Sequence, residues 1–372
     1  MARKADPIPA CSDDEEEELM KNSHVLIVRF SAIGDVAMLV PVVYSLSQQY
    51  PHLRITVLSK PFARPFFEGL GANVGFMEAD LKNEYSGIRG LNALYRRLKA
   101  KHFTAVADMH GVLRSSYLRM RFNLDRFKVR HIDKHRRERR RMVSTHKKHL
   151  VQLPTTVQNY ADVLAALGYP VKLEFTSLFP PSGGNLRHLP PVIGEKKNFQ
   201  LWIGVAPFAA HKGKVYPPEK MEAVIAQLLT LHPSGRIFLF GVGNDERKYF
   251  GEWCAKYPRC TDASAAVAGL PQELILMSHL DVMVSMDSAN AHLASIVNVP
   301  VVSIWGATHP YAGFLAWNQR EEDVVQVDLP CRPCSIYGNK PCQRGDWACM
   351  EMITPEMIVE KVENVFKRAQ KR

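Results

Sequence analysis

No apolar run in the 372 residues approaches the roughly 18 that a membrane-spanning helix needs, so no such span is expected. The first residues hold no apolar stretch of signal-peptide type either. MARKADPIPA leads into Asp13, Asp14, Glu15, Glu16, Glu17 and Glu18, and residues 1–21 read as a flexible acidic tail outside the fold. No Walker A sequence occurs, which argues against a P-loop kinase. Gly241-Val242-Gly243-Asn244-Asp245-Glu246 begins like a dinucleotide fingerprint but lacks its third glycine, so no NAD- or FAD-type site is read there. Cysteines number only seven. Four of them, Cys331, Cys334, Cys342 and Cys349, are spaced C-x2-C-x7-C-x6-C, without the second close pair that a zinc site favours. A loose structural site, a disulfide and plain reduced thiols all stay open, and no metal is assigned.

What the chain does hold is enough apolar residue, 46%, for two domains with a core each. Its charge is unevenly placed. Fourteen Lys and Arg against three acids fall between Arg114 and Lys148, a local excess equal to the whole +11 of the protein. One strongly basic segment points to an anionic partner for one region. Nucleic acid fits it least, because Tyr117, Phe122 and Phe127 are its only aromatics and no nucleic-acid motif accompanies them. A solvated basic helix face is the plain alternative.

Short β-branched runs alternate with helical spacing along the chain. His24 to Phe30, Arg54 to Ser59 and Phe103 to Asp108 read as strands, and Val36 to Tyr50 as a helix. Between Phe179 and Gln200 the rhythm stops in a stretch crowded with Pro and Gly. It restarts with strands at Leu201 to Ala206, Arg236 to Phe240, Asp281 to Ser285 and Val301 to Trp305, and helices at Pro218 to Leu231 and Ser288 to Val297. The last helix runs from Thr354 to Lys371. The expectation is an α/β protein with two doubly wound parallel halves. Residues 22–185 form the N-terminal domain, 186–200 a linker, 201–352 the C-terminal domain and 353–372 a terminal helix.

Four places could carry chemistry. Asp35 follows Ser31-Ala32-Ile33-Gly34 at a strand end, as a helix cap or as a general base. Asp287-Ser288-Ala289-Asn290-Ala291-His292 closes a strand and opens a helix with small residues, a capped helix or a phosphate cradle. Ala206 to Pro217 leaves a strand into a loop with His211, Lys212 and Lys214, and a lysine there is either solvated or placed to neutralise a leaving diphosphate. Glu246 or Asp245, at a helix start, could bind ribose hydroxyls or be a surface acid.

Together these segments resemble glycosyltransferase family 9, the ADP-heptose:lipopolysaccharide heptosyltransferases. VLIVRFSAIGDVAMLVPVV resembles the family's opening strand and Ser-x-x-Gly-Asp turn, and KVYP at 214–217 its Lys-x-Trp-Pro, with Tyr216 in place of Trp. VSMDSANAHLASIVNVPVVSIWGATHP resembles its Asp-[Ser/Thr]-x-x-x-His block and Gly-x-Thr-x-Pro turn. The resemblance implies a GT-B architecture, two Rossmann-like domains facing an interdomain cleft, and inverting transfer without a catalytic metal or other cofactor. It gives Asp35 the role of base and Lys214, Ser288, Ala289 and Asn290 the donor phosphates. Asp287 would face the donor sugar, Glu246 the ribose, and His292 is a motif residue without an assigned role. The implied donor is a nucleotide sugar such as ADP-heptose, and the acceptor lipopolysaccharide core. Arg114, Arg136, Arg137, Arg139 and Arg140 are candidates to hold the acceptor's phosphates or an anionic inner-membrane surface. The expected location is the cytoplasm or the periphery of that membrane, and nucleic acid is not an expected partner. A nucleotide-sugar 2-epimerase on the same architecture and a non-catalytic anion-binding protein using residues 114–148 are the alternatives.

Overall fold

The computed structural model describes residues 23–370, so the acidic tail lies outside the described residues. Two parallel sheets organise the chain. The first contains β1 (His24–Val28), β2 (Arg54–Ser59), β3 (Val74–Glu78), β4 (Ala105–Asp108) and β5 (Lys128–His131) in the order β3-β2-β1-β4-β5. The second contains β6 (Trp202–Ala206), β7 (Arg236–Leu239), β8 (Cys260–Asp262), β9 (Val282–Met286), β10 (Val301–Ile304) and β11 (Val324–Val325) in the order β11-β10-β9-β6-β7-β8. Every pairing is parallel. Central strands of such sheets are covered on both faces and read as unbroken apolar runs. HVLIV in β1 and VMVSM in β9 are buried at every position.

Each sheet has its own core. Leu26, Val28, Leu58, Leu94, Leu98 and Phe122 pack beside the first, and Val205, Met221, Val284, Val302, Trp253 and Val362 beside the second. The strand order reverses between β1 and β4 in the first sheet and between β6 and β9 in the second. Ligands of doubly wound sheets bind beyond the carboxyl ends of the strands at such reversal points. Among the described residues no helix is long and apolar enough to cross a membrane.

The compact units do not follow the boundaries expected from the sequence. One comprises residues 23–30, Val43–Ile132 and Asp162–Lys172; the other comprises Ser31–Val42, Asp133–Ala161 and Leu173–Arg372, the last two of these residues being undescribed. The turn carrying Asp35 and the helix Arg136–Met142 therefore group with the C-terminal sheet. The single helix expected over Val36 to Tyr50 is two, Ile33–Ala37 and Val40–Gln49. Pro41 lacks the N–H that a continuous helix would use and fits the first turn of a new one.

Candidate active site

Lys214 and Asp287 meet at the reversal point of the second sheet. Lys214 lies on the loop after β6, in a single turn of 3-10 helix (Lys212–Lys214), and Asp287 follows β9. Lys214 Nζ is 2.8 Å from Asp287 Oδ2, with the two side chains 15% and 5% exposed. A buried ion pair of this kind holds geometry at a desolvation cost that a solvated surface pair does not carry. The same Asp287 oxygen accepts a hydrogen bond of 2.8 Å from the buried Thr308 hydroxyl.

Glycines make room for the lysine. Gly338 has φ +74°, and a Cβ there would come within 2.6 Å of Lys214 Cγ. Gly213 exchanges backbone hydrogen bonds with the neighbouring loops: its N–H donates to the Gly338 carbonyl and its carbonyl accepts from Ala307 N–H. Tyr216, in the KVYP segment, is fully buried and donates its hydroxyl to the Ile353 carbonyl at 3.0 Å.

Ser288 is the N-cap of the helix Ala289–Ile296, in extended conformation. The first N–H groups of a helix have no carbonyl of their own turn to bond, and they carry partial positive charge. Small side chains at Ser288, Ala289 and Asn290, each half-buried, leave those groups approachable. His292 lies one turn on. Its Nδ1 is buried without a hydrogen-bond partner. Desolvation lowers its pKa, opposed by the charges of Asp35 and Asp287 and reinforced by Lys214. Burial thus favours the uncharged imidazole.

Asp35 belongs to this neighbourhood. The helix Ile33–Ala37 packs on the helix Ala289–Ile296. Contact is so close at Gly34 that a Cβ there would come within 2.7 Å of His292 Cδ2. Asp35 is half-buried, and its Oδ2 accepts the Ala32 N–H at 3.3 Å. Its backbone carbonyl accepts the Tyr160 hydroxyl at 3.1 Å. A capping contact is thus present, but it is long, and the electrostatic reach to His292 is present beside it. Asp35 and residues 288–290, which the expected domain bounds of 22–185 and 201–352 separate, fall in one compact unit.

Glu246 stands at the start of the helix Asn244–Lys256. Its Oε2 accepts from Val242 N–H at 2.8 Å and Gly243 N–H at 3.0 Å, capping its own helix. Among the basic residues, Arg114, Arg136, Arg137 and Arg140 are exposed. Arg139 differs from them. It is 9% exposed, lies over the Phe314 ring at 4.5 Å and donates to the Ala312 carbonyl at 3.1 Å. Its guanidinium supports packing and is not offered to an outside anion.

Sequence reasoning passed over three participants. Thr308 lay inside the Gly-x-Thr-x-Pro turn already noted. Gly338 carried no signal beyond being glycine. Arg332 is 6% exposed, and its guanidinium donates to the carbonyls of Trp305, Gly306, Thr308 and Val327, fixing the loop that presents Thr308. Burial pushes its pKa down. The four late cysteines line one small cavity with Arg332 and Trp347, all as free thiols, and burial raises Cys334 and takes Cys349 up to about 11. Among the described residues no group of three or more His, Cys, Asp or Glu side chains is arranged to hold a metal ion.

Comparison with known proteins places this arrangement. The family model described as glycosyltransferase family 9 (heptosyltransferase) matches residues 91–342. Lipopolysaccharide heptosyltransferase 3 of Escherichia coli is 26% identical over 79% of this chain and 85% of that protein. Lipooligosaccharide heptosyltransferase 2 of Campylobacter jejuni is 25% identical over 38% of this chain, a match that spans only 44% of that protein. The solved structure of E. coli ADP-heptose lipopolysaccharide heptosyltransferase II superposes with a TM-score of 0.65 over 93% of this chain and 99% of that one, at 18% identity. The fold is therefore the α/β, GT-B type expected from the sequence, and the chain belongs to glycosyltransferase family 9.

Proposed function

We propose that this protein transfers a sugar, heptose from ADP-heptose, onto an inner-core acceptor of lipopolysaccharide, with inversion at the anomeric carbon. The observation that carries the proposal is the Lys214–Asp287 pair beside the amino end of the Ala289–Ile296 helix, with Asp35 on the helix packed against it. The acceptor hydroxyl oxygen attacks the anomeric carbon, the bond from that carbon to the diphosphate oxygen breaks, and the hydroxyl proton passes to Asp35. Lys214 and the amides of Ser288, Ala289 and Asn290 meet the charge that grows on the departing diphosphate. That places on protein groups the role a divalent cation plays elsewhere, and the reading is metal-independent for that reason. Asp287 orients Lys214 and faces the donor sugar, while neutral His292 fills the space between the two helices. Glu246 offers its remaining carboxylate oxygen, Oε1, to the ribose.

Family membership supports the donor and acceptor classes, and the name of the E. coli structural relative includes ADP-heptose. Exposed Arg114, Arg136, Arg137 and Arg140 suit the acceptor's phosphates and an anionic inner-membrane surface, consistent with a cytoplasmic or peripheral location. The test is Asp35→Ala and Asp35→Asn, assayed with ADP-heptose and a Kdo-bearing acceptor. Loss of a general base removes about 10²–10⁴-fold of the rate. Donor affinity, measured by calorimetry, should stay close to that of the parent. Transfer retained within about tenfold of the parent would refute the general-base role.

A further inference from the structure

The helix Leu113–Leu124 buries Ser115, Leu118 and Phe122 against the core of the first unit. On the opposite face Leu113, Met120 and Leu124 are 91%, 47% and 70% exposed. Their spacing of seven and then four residues sets them in one stripe along the helix. A helix apolar on two opposite faces uses one for its own fold, and here the other is left exposed among the described residues. At 12 residues it is about 18 Å long.

The surroundings are basic. Arg114 is exposed beside the stripe, and Arg126, Lys128 and Arg130 are exposed just past its end. The nearby acids are occupied: Asp125 by Lys99 and Asp108 by Arg119. Beyond the carboxyl end of the helix, Phe103 and Phe127 line an open depression of about 520 Å³ rimmed by Arg96, Lys99 and His102. Three large apolar side chains among exposed cations are the composition of an interfacial helix on an anionic bilayer. A second copy fits poorly, since a self-pairing stripe would bring its exposed like charges together.

We infer that the Leu113–Leu124 helix lies in the surface of an anionic membrane, its apolar stripe among the acyl chains and its flanking cations on the lipid phosphates. This rests on the membrane association proposed above and assigns it to an element other than the Arg136–Met142 helix. Purified full-length protein is sedimented with vesicles of phosphatidylethanolamine and phosphatidylglycerol, and with neutral phosphatidylcholine vesicles. The parent should pellet with the first and not the second. Leu113→Ser, Met120→Ser and Leu124→Ser combined should lower the partition by about tenfold or more while circular dichroism stays unchanged. If that variant partitions as the parent does while Arg136→Glu, Arg137→Glu and Arg140→Glu combined abolish binding, the face is wrong although the membrane reading survives. A parent that binds no vesicle defeats both. A parent dimer that the serine variant converts to monomer assigns the stripe to a chain–chain contact and overturns the inference.

Discussion

Asp287 accepts from both Lys214 and Thr308, so one carboxylate oxygen joins three loops of the second sheet. Truncating one member of a buried ion pair leaves the other uncompensated, at a cost of about 3–5 kcal/mol. Replacing both by apolar residues removes that penalty. Lys214→Met and Asp287→Leu alone should each lower the urea midpoint, and the double variant should recover most of the loss while all three fail to transfer sugar. Equal destabilisation in the double variant would show that the two charges are not coupled. A second residue reports through pH. His309 is buried, and its Nδ1 accepts from Tyr311 N–H at 3.2 Å. Burial first, and then the Arg332 charge, push its pKa from 6.5 down to about 4. Unfolding raises its proton affinity, so its contribution is present above pH 6.5 and is lost as pH falls toward 4. His309→Asn keeps an acceptor and does not titrate. Its urea midpoint should therefore fall less than the parent's over that window, by an amount corresponding to about 2 kcal/mol.

Glycines set how close the elements of the site can come. Gly34→Ala would press a methyl group on His292 and part the helices Ile33–Ala37 and Ala289–Ile296. Overpacking of this kind costs about 1–3 kcal/mol. Because Asp35 adjoins the contact, turnover should fall by more than the thermal stability suggests, with kcat affected before donor KM. Gly338→Ala acts on the other side, through Lys214 and a strained positive φ, and should raise donor KM first. Steady-state kinetics on the two variants separates these outcomes. The central strands were legible because burial on both faces writes an apolar run into them, as HVLIV and VMVSM show. Edge strands were not: KVRH in β5 and CTD in β8 are short, polar and partly exposed, and their pairing is set by neighbours. Lys214, Asp287 and Asp35 stood out as candidates because ligands of such sheets bind at the turns beyond the strand ends. Arg332 could not, since it holds the site through backbone carbonyls up to 27 residues away, which leave no side-chain pattern. Nor could the sequence reveal that Asp133–Ala161 groups with the C-terminal sheet, a long-range return of the chain.

At the scale of the molecule, the placement of charge should give the two proposed substrates different sensitivities to salt. The whole net charge of +11 is matched by the excess between Arg114 and Lys148, and Arg136, Arg137 and Arg140 there are exposed. Exposed charges are screened over about 8–10 Å at physiological ionic strength and far less over distance at low salt. Lys214, by contrast, is largely buried and held by a partner at 2.8 Å, where ions penetrate poorly. Raising sodium chloride from 50 to 500 mM should therefore lower kcat/KM for an anionic acceptor by about tenfold, through slower encounter. Donor KM should change by only about twofold, because the screened surface plays little part in binding the diphosphate. Arg136→Glu, Arg137→Glu and Arg140→Glu combined should flatten the acceptor's salt dependence and leave donor KM in place. If donor and acceptor parameters instead respond to salt in parallel, the basic segment acts on both substrates, and the division of labour between the buried lysine and the exposed arginines fails.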